Sequence, residues 1–427
     1  MRNLWHVLLS LGLLLGSAVV VTTIFRPSPR ASSTPTGIAS TEQRIQTLES
    51  RIRRSPKNVE LRLELAQVLL QKVRETADVA LYARVEEVLN DAEQLAPGRA
   101  DIIATRSAIA FGRHQFREAK RLAEEAIQRN QHAAAHYGLL GDAALELGQY
   151  IEAVEAFQRM VDLRPNLSAY HRIAYARELH GDLEGAEEAI RDAISAGSLY
   201  PENLAWSYVL LGNLALRRDP DAAARAYERA LAVVPDHPPA LEGRGRVAVA
   251  QGDLRGALPW FERALARLPV AQHAIDLGDT YVRLGEKERA ETYYTLAQLA
   301  FEKSQASGVN TDLEIAFFLA DHDRDLGTAL QKAEAAHRDR PSIQAADVLA
   351  WALYKDGQHE RAAHVIKEAL RLGEHDPLIV FHAAVIAEAT GNRAEARWLF
   401  ERTRQLAKHI AILYDPVVEE RLRLMPP

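Results

Sequence analysis

Residues 134–167, AAHYGLLGDAALELGQYIEAVEAFQRMVDLRPNL, predict two short amphipathic helices that pack against each other. Gly148 lies in the turn between the two helices, and Pro165 ends the second helix. Apolar residues recur at helical spacing in both halves: Tyr137, Leu140 and Ala144 in the first, and Ala153, Phe157 and Met160 in the second. Two such helices cannot bury both apolar faces against each other, so a further copy of the unit must stack on either side.

The same unit recurs along the chain. Alanine stands at the position of Ala153 at intervals of 33 to 39 residues: Ala186, Ala223, Ala257, Ala290, Ala329, Ala362 and Ala396. Glycine returns at the position of Gly141 as Gly212, Gly245 and Gly278, and in the turn as Gly181, Gly252, Gly285, Gly357 and Gly391. Small residues there allow two helix backbones to approach closely. The unit at residues 311–341 departs from the pattern, because it has no turn glycine and has Phe317 in place of the small residue.

These units resemble the tetratricopeptide repeat family, which has a period of about 34 residues and the same alternation of small and large positions. The resemblance implies an all-α fold, a right-handed α-solenoid of about ten tetratricopeptide-type helix pairs. It also implies protein or peptide partners that bind in the concave groove lined by the first helices. On that basis we expect the groove to contain His171, Tyr175, Asn213, Arg246, Asp279, Phe318, Trp351, Tyr354 and Phe381.

The aromatic members of this set suggest a patch for partner binding. Phe318, Trp351, Tyr354 and Phe381 could anchor apolar side chains or stack on arginines of a partner. The alternative is that they pack between neighbouring helices. In the family's best-known binding mode, a lysine in the groove binds the C-terminal carboxylate of a peptide. The matching positions of this chain hold no lysine or arginine.

Residues 4–25, which begin at Leu4 and end at Phe25, carry no acidic or basic side chain apart from the titratable His6. As a helix they would be roughly 33 Å long, enough to cross a bilayer. We therefore predict a membrane anchor, with a signal peptide cleaved after Ala18 as the alternative. The resulting prediction is a single-pass membrane protein whose soluble domain is periplasmic or extracellular.

The chain divides into five predicted segments. They are a membrane anchor or uncleaved signal at 1–26, a linker rich in Pro, Ser and Thr at 27–42, a leading helix at 43–57, the repeat solenoid at 58–408 and a C-terminal capping helix at 409–427.

Composition and motifs argue against several classes of function. The formal net charge of −6 disfavours a nucleic-acid binder, because phosphate contacts need a concentrated positive face. The chain has no cysteine, which excludes disulfides, thiol nucleophiles and cysteine-ligated metals. Gly243, Gly245 and Ala248 spell a nucleotide-binding pattern, but they lie inside a predicted helix. His359 and His364 are five residues apart and point to different sides of their helix. We predict no catalytic residue, no cofactor and no metal.

The sequence thus predicts a non-catalytic, membrane-tethered scaffold that binds protein or peptide partners during cell-envelope protein assembly. The alternative is a regulatory or accessory subunit of an envelope enzyme or export complex. An RNA-binding helical repeat would need a basic groove, whereas the predicted groove leans acidic. An enzyme would need a deep polar pocket.

Overall fold

The computed structural model describes residues 40–425, and within that range the chain forms 22 α-helices and no β-strand. In chain order the helices are α1 Thr41–Arg54, α2 Val59–Thr76, α3 Leu81–Leu95, α4 Ala100–Gly112, α5 Phe116–Arg129, α6 Ala134–Glu146, α7 Tyr150–Leu163, α8 Leu167–Leu179, α9 Leu183–Ala196, α10 Pro201–Leu216 and α11 Pro220–Val233. They continue as α12 Pro238–Ala250, α13 Leu254–Arg267, α14 Ala271–Arg283, α15 Lys287–Ala306, α16 Asp312–Asp321, α17 Leu326–Asp339, α18 Ile343–Lys355, α19 His359–Ala369, α20 Pro377–Ala389, α21 Arg393–Leu406 and α22 Asp415–Leu424.

Helices α2 to α21 form ten pairs, and in each pair the second helix packs along the first. Second helices also pack on the first helix of the following pair, as α5 does on α6 and α11 on α12. Helix α1 packs on α2 at one end, and α22 packs on α21 at the other. The predicted all-α helical-repeat solenoid is confirmed. Its right-handed sense and the five segment boundaries stay predictions.

A glycine on the first helix sets how closely the two helices of a pair approach. A Cβ atom placed on Gly141 would lie 2.3 Å from Cε1 of Phe157, which is too close for any real Cβ contact. The same arrangement recurs for Gly212 with Tyr227, Gly245 with Phe261 and Gly278 with Tyr294, at 2.5, 2.5 and 2.4 Å. Each ring therefore occupies the space that a side chain would need, and the contact depends on the glycine.

The turns within the pairs use left-handed backbone conformations. Gly148, Gly252 and Gly357 have φ angles of 71°, 83° and 80°, which glycine adopts without strain. The second and eighth pairs lack the turn glycine and place His114, at φ 58°, and Asp323, at φ 53°, in the same region. Aspartate and histidine are among the residues that tolerate it best. The divergent unit at 311–341 therefore keeps the repeat turn without its glycine.

The solenoid winds back on itself, so pairs six apart along the chain touch. Between the second and eighth pairs, the Asn310 N–H donates to the carbonyl oxygen of Arg113 at 3.0 Å. Between the third and ninth pairs, the Ile343 N–H donates to the Tyr150 hydroxyl oxygen at 2.8 Å. Tyr150 and Ile343 also belong to one buried apolar cluster, and the two hydrogen bonds together join pairs that are far apart in the chain.

The prediction of a single-pass membrane protein with a periplasmic or extracellular domain is corrected by the structure. Between residues 40 and 425, no helix combines the length and the apolar character needed to cross a bilayer. The stretch from Leu4 to Phe25, to which the prediction assigned the span, lies outside the residues that the structure describes.

We predict that Gly141→Ala destabilises the protein by about 1 to 3 kcal/mol, because the new methyl group overlaps the Phe157 ring. The matched control is Gly327→Ala on α17, where a Cβ atom meets nothing closer than Asp325 Oδ1 at 3.9 Å. That control should keep or raise the melting temperature, since alanine favours a helix over glycine. Thermal unfolding followed by circular dichroism measures both, and equal melting temperatures for the two variants would contradict the proposed role of the ring contact.

Candidate functional site

The inner face of the solenoid is formed by the first helices of the pairs, and its polar side chains are buried. His171, Asn213, Arg246 and Asp279, which the sequence placed in the groove, are all buried in this way, and Tyr175 is half-buried. Around these residues the inner face is therefore a packed interior.

The chain after α21 turns into this inner face. We call residues 407–414 the inserted segment. The N–H of Lys408 donates to the carbonyl oxygen of Arg217 on the fifth pair at 3.0 Å. Arg283 of the seventh pair donates through Nη1 to the carbonyl oxygen of Ile412 at 3.2 Å. Ile410 and Ile412 are buried among the first helices. Helix α22 begins at Asp415, directly after the inserted segment.

Tyr414, the last residue of the inserted segment, covers two of the predicted groove aromatics. Its ring stacks on Phe381, with centroids 4.6 Å apart, and meets Trp351 edge to face at 6.0 Å. Its hydroxyl group donates to Oδ1 of Asp321. Trp351 in turn stacks on His382 at 4.1 Å. These rings, which we call the aromatic cluster, therefore hold the inserted segment against the ninth and tenth pairs.

The structure divides the predicted aromatic patch. Tyr354 is half-buried and stacks on Trp351, with centroids 5.0 Å apart. Trp351 and Phe381 are only 3% and 1% exposed, so they pack in the interior. Phe318 lies apart from them, against Tyr294 and His322.

The sequence reasoning missed three residues that lie in the cluster or beside it. Phe317, rather than its neighbour Phe318, faces His382, with centroids 6.2 Å apart. His382 follows Phe381 directly in the chain, and its place on the helix could have been read from the repeat register. Tyr414 lies beyond the last repeat, where no period relates it to the aromatic residues that it covers.

Charged residues of the inner face pair with one another. Arg246 lies between Glu242, one turn away on its own helix, and Asp276 of the next pair, whose Oδ2 is 3.2 Å from Nη2. Gln272 donates to Oδ1 of Asp276 at 2.7 Å. Burial raises the pKa of Asp276 to about 7, although Arg246 works in the opposite direction. Two acidic side chains thus share one guanidinium in the interior.

Asp279 accepts two hydrogen bonds from neighbouring rings. Nε2 of His322 lies 2.8 Å from its Oδ1, and the Tyr294 hydroxyl donates to the same oxygen at 2.9 Å. Although burial disfavours a charged imidazole, the Asp279 carboxylate raises the pKa of His322 above its ordinary value. Among residues 40–425, no group of three or more His, Asp or Glu side chains could hold a metal ion.

Asn213 and Tyr175 have similar structural contacts. Oδ1 of Asn213 accepts from the Tyr227 hydroxyl at 2.7 Å, which ties the ring that faces Gly212. Nε2 of Gln344 donates to the Tyr175 hydroxyl at 3.3 Å and links the fourth pair to the ninth. Both predicted groove residues therefore connect helices in this structure.

Comparison with known proteins agrees with this architecture. A tetratricopeptide repeat model matches residues 108–168, 139–203, 209–272 and 348–408, and a second model of the same description matches 275–302. The chain belongs to the tetratricopeptide repeat family. Tetratricopeptide repeats generally bind protein partners. The stretch 303–347 between these matches contains α16 and α17, the pair that has Phe317 and Asp323 at the two usual glycine positions.

Similar curated proteins share the repeats over part of their length. Tetratricopeptide repeat protein 33 of Xenopus laevis is 33% identical over 108 residues, which are 24% of this chain and 42% of that protein. Cellulose synthase operon protein C of Xanthomonas axonopodis pv. citri is 27% identical over 291 residues, 66% of this chain. The matched part spans only 18% of the latter protein. The crystal structure of yeast Tom70 is 16% identical and covers 90% of this chain and 96% of its own, with a TM-score of 0.39.

We predict that His171 makes the protein less stable in mild acid. Its Nε2 lies 2.8 Å from Ser207 Oγ, and burial together with the charge of Arg172 lowers its pKa to about 3. In the unfolded chain a histidine takes up a proton below about pH 6.5. Between these pH values the unfolded state binds the extra proton, so stability falls on acidification by up to about 1.4 kcal/mol per pH unit.

The measurement is the melting temperature at pH 7 and pH 5 for the natural chain, for His171→Asn and for His364→Asn. His364 is exposed on α19 and serves as the matched control. His171→Asn should show a smaller loss between the two pH values than the other two proteins. Identical losses for all three would show that the protonation of His171 does not limit stability.

Proposed function

We propose that this protein is a non-catalytic scaffold that binds an extended, apolar segment of a protein partner on the inner face of its solenoid. The observation that supports this most directly is the inserted segment, since residues 407–414 of the same chain already lie there. A surface that buries a non-helical stretch of polypeptide has the chemistry needed to hold a similar stretch from another protein.

Two kinds of contact would select such a partner. Main-chain groups of the segment meet the carbonyl oxygen of Arg217 and the guanidinium of Arg283, and neither contact depends on the identity of the segment's side chains. The aromatic cluster instead recognises a ring, because Phe381 and Trp351 pack around Tyr414. Buried aromatic anchors of this kind carry much of the binding energy at interfaces. The preferred partner segment would therefore carry an aromatic residue beside branched apolar residues.

The inserted segment would then compete with the partner. Bringing a segment of the same chain to the site costs little entropy compared with a separate molecule, because its local concentration is high. A partner must displace the inserted segment, so it binds most tightly when the contacts that hold the segment are weakened. This competition makes partner binding sensitive to the residues that hold the segment in place.

A second role is supported by one comparison. The repeats are 27% identical to part of cellulose synthase operon protein C over 66% of this chain, which fits an accessory subunit of an enzyme complex. In that role the inner face would bind a segment of a catalytic subunit. The physical requirements on the partner segment would be the same as for a scaffold.

We predict that Tyr414→Ala increases the affinity for a labelled peptide with the sequence of residues 407–415. The substitution removes the stacking on Phe381 and the hydrogen bond to Asp321, and so weakens the competing segment. We expect the full-length variant to bind the peptide at least about tenfold more tightly than the natural chain, by fluorescence anisotropy.

Adding Phe381→Ala to the Tyr414→Ala variant should abolish this gain, because the peptide loses its aromatic anchor. Trp398→Ala is the matched control, since Trp398 is 52% exposed on the outer side of α21 and should not affect the peptide. Circular dichroism checks that helicity is retained. Equal peptide affinity with and without Phe381 would rule out the inner face as the binding site.

A further inference from the structure

A cleft opens on the inner face where the first pair meets the seventh and eighth. It has a volume of about 100 Å³ and lies between the C-terminal end of α2, the start of α14, the C-terminal half of α15 and helix α16. We call it the inner cleft. A group the size of a water molecule takes up about 10 to 15 Å³ of such a cavity, so the cleft has room for roughly seven to ten non-hydrogen atoms.

Most of the cleft wall is apolar. The apolar residues that line it include Val73, Val79, Ile275, Phe301, Phe317 and Phe318. An apolar chain placed here would leave water on entry, which is favourable in proportion to the area buried. The wall alone would accept any small apolar group.

Two buried oxygen atoms belong to residues that line the inner cleft. Glu314 and Thr311 both line it, and they are only 7% and 4% exposed. Oε2 of Glu314 and Oγ1 of Thr311 have no hydrogen-bond partner. A buried polar atom without a partner is costly, and in folded proteins such atoms usually face a ligand, an ion or water. Both atoms are hydrogen-bond acceptors, so they suit a donor group.

The charges around Glu314 favour a cationic donor. Its Oε1 accepts from Nη2 of Arg340 at 3.1 Å, but Arg340 also pairs with Glu146 at 3.3 Å. One arginine therefore faces two carboxylates. Nδ1 of His114 is 3.5 Å from Glu314, but burial lowers the pKa of that histidine and so favours its neutral form. A buried carboxylate in this situation is stabilised by a second positive charge.

We propose that the inner cleft binds a linear alkylammonium group, with its carbon chain against Phe301, Phe317 and Val73 and its ammonium group donating to Glu314 and Thr311. An ammonium group has three donors and no acceptor, which matches two free acceptor oxygens. An alcohol of the same length supplies one donor and no charge. The bound group would touch the first, seventh and eighth pairs at once and would tighten the closure between them.

The alkylammonium group has two possible sources, a free primary amine or the side chain of a lysine in a partner protein. The chemistry at Glu314 is the same for both. The two sources differ in steric access to the inner cleft, because a lysine side chain must enter while attached to a polypeptide. This inference does not depend on peptide binding at the aromatic cluster.

The test is isothermal titration calorimetry of the full-length protein with n-hexylammonium, n-hexanol and a blocked tripeptide with a central lysine. We expect n-hexylammonium to bind with a Kd of about 1 mM or tighter, in line with the energy available to a ligand of this size. The alcohol should bind at least about tenfold more weakly, because it cannot compensate the carboxylate. Binding of the amine alone identifies a small-molecule site, whereas binding of the tripeptide as well identifies a lysine site.

Three variants locate the binding. Glu314→Gln should weaken the amine by at least about tenfold, and Thr311→Val should weaken it less. Glu302→Gln is the matched control, because Glu302 is exposed on α15 and does not line the inner cleft. It should leave the affinity unchanged. If Glu314→Gln lowers the helical circular dichroism signal, Ala300→Leu replaces it, since a larger side chain at the cleft wall fills the space for the carbon chain.

Equal affinities for the amine and the alcohol would overturn the proposal, as would unchanged amine binding in both Glu314→Gln and Ala300→Leu. Absence of heat with the amine at 10 mM, roughly ten times the expected Kd, would overturn it too.

Discussion

The close approach of helices at a glycine that faces an aromatic ring is the contact on which the rest of this structure depends. At Gly141 and Phe157 it sets the spacing of one pair, and the same contact recurs at Gly245 and Phe261. The rotation from one unit to the next sets the curvature of a solenoid, so the spacing within the pairs contributes to how tightly this array curves. In this chain the curvature is tight enough that the second pair meets the eighth.

Closure changes what the inner face can do. In an open solenoid, first-helix side chains such as Arg246 and Asp279 would be solvated and free to bind a partner. Here they are buried, and each is held by charged or hydrogen-bonding neighbours. Buried ion pairs add little net stability but are costly to break, so they favour one arrangement of the helices over others. The polar side chains of the inner face are therefore held in one arrangement, and the inserted segment lies against the same first helices.

The sequence predicted the local features well because they depend on residues close in the chain. Gly141, Ala153 and Phe157 lie within one unit, and their periodic spacing predicts both the helices and their contact. Closure depends instead on pairs such as Tyr150 and Ile343, which are 193 residues apart. No period relates such residues, so an open groove was expected. The choice between Phe317 and Phe318 is also beyond a repeat pattern, because both lie on α16, in a pair that has Phe317 and Asp323 at the two usual glycine positions.

The contacts between pairs six apart have a consequence for how this array can change in evolution. In an ordinary solenoid each unit touches only its neighbours, and units can be duplicated or deleted with local effects. Here, removing one unit between the third and eighth pairs would bring Tyr150 opposite the wrong partner and would misalign every later contact across the turn. The number of units within the turn is thus part of the fold, and homologues that keep the closed form should keep that number.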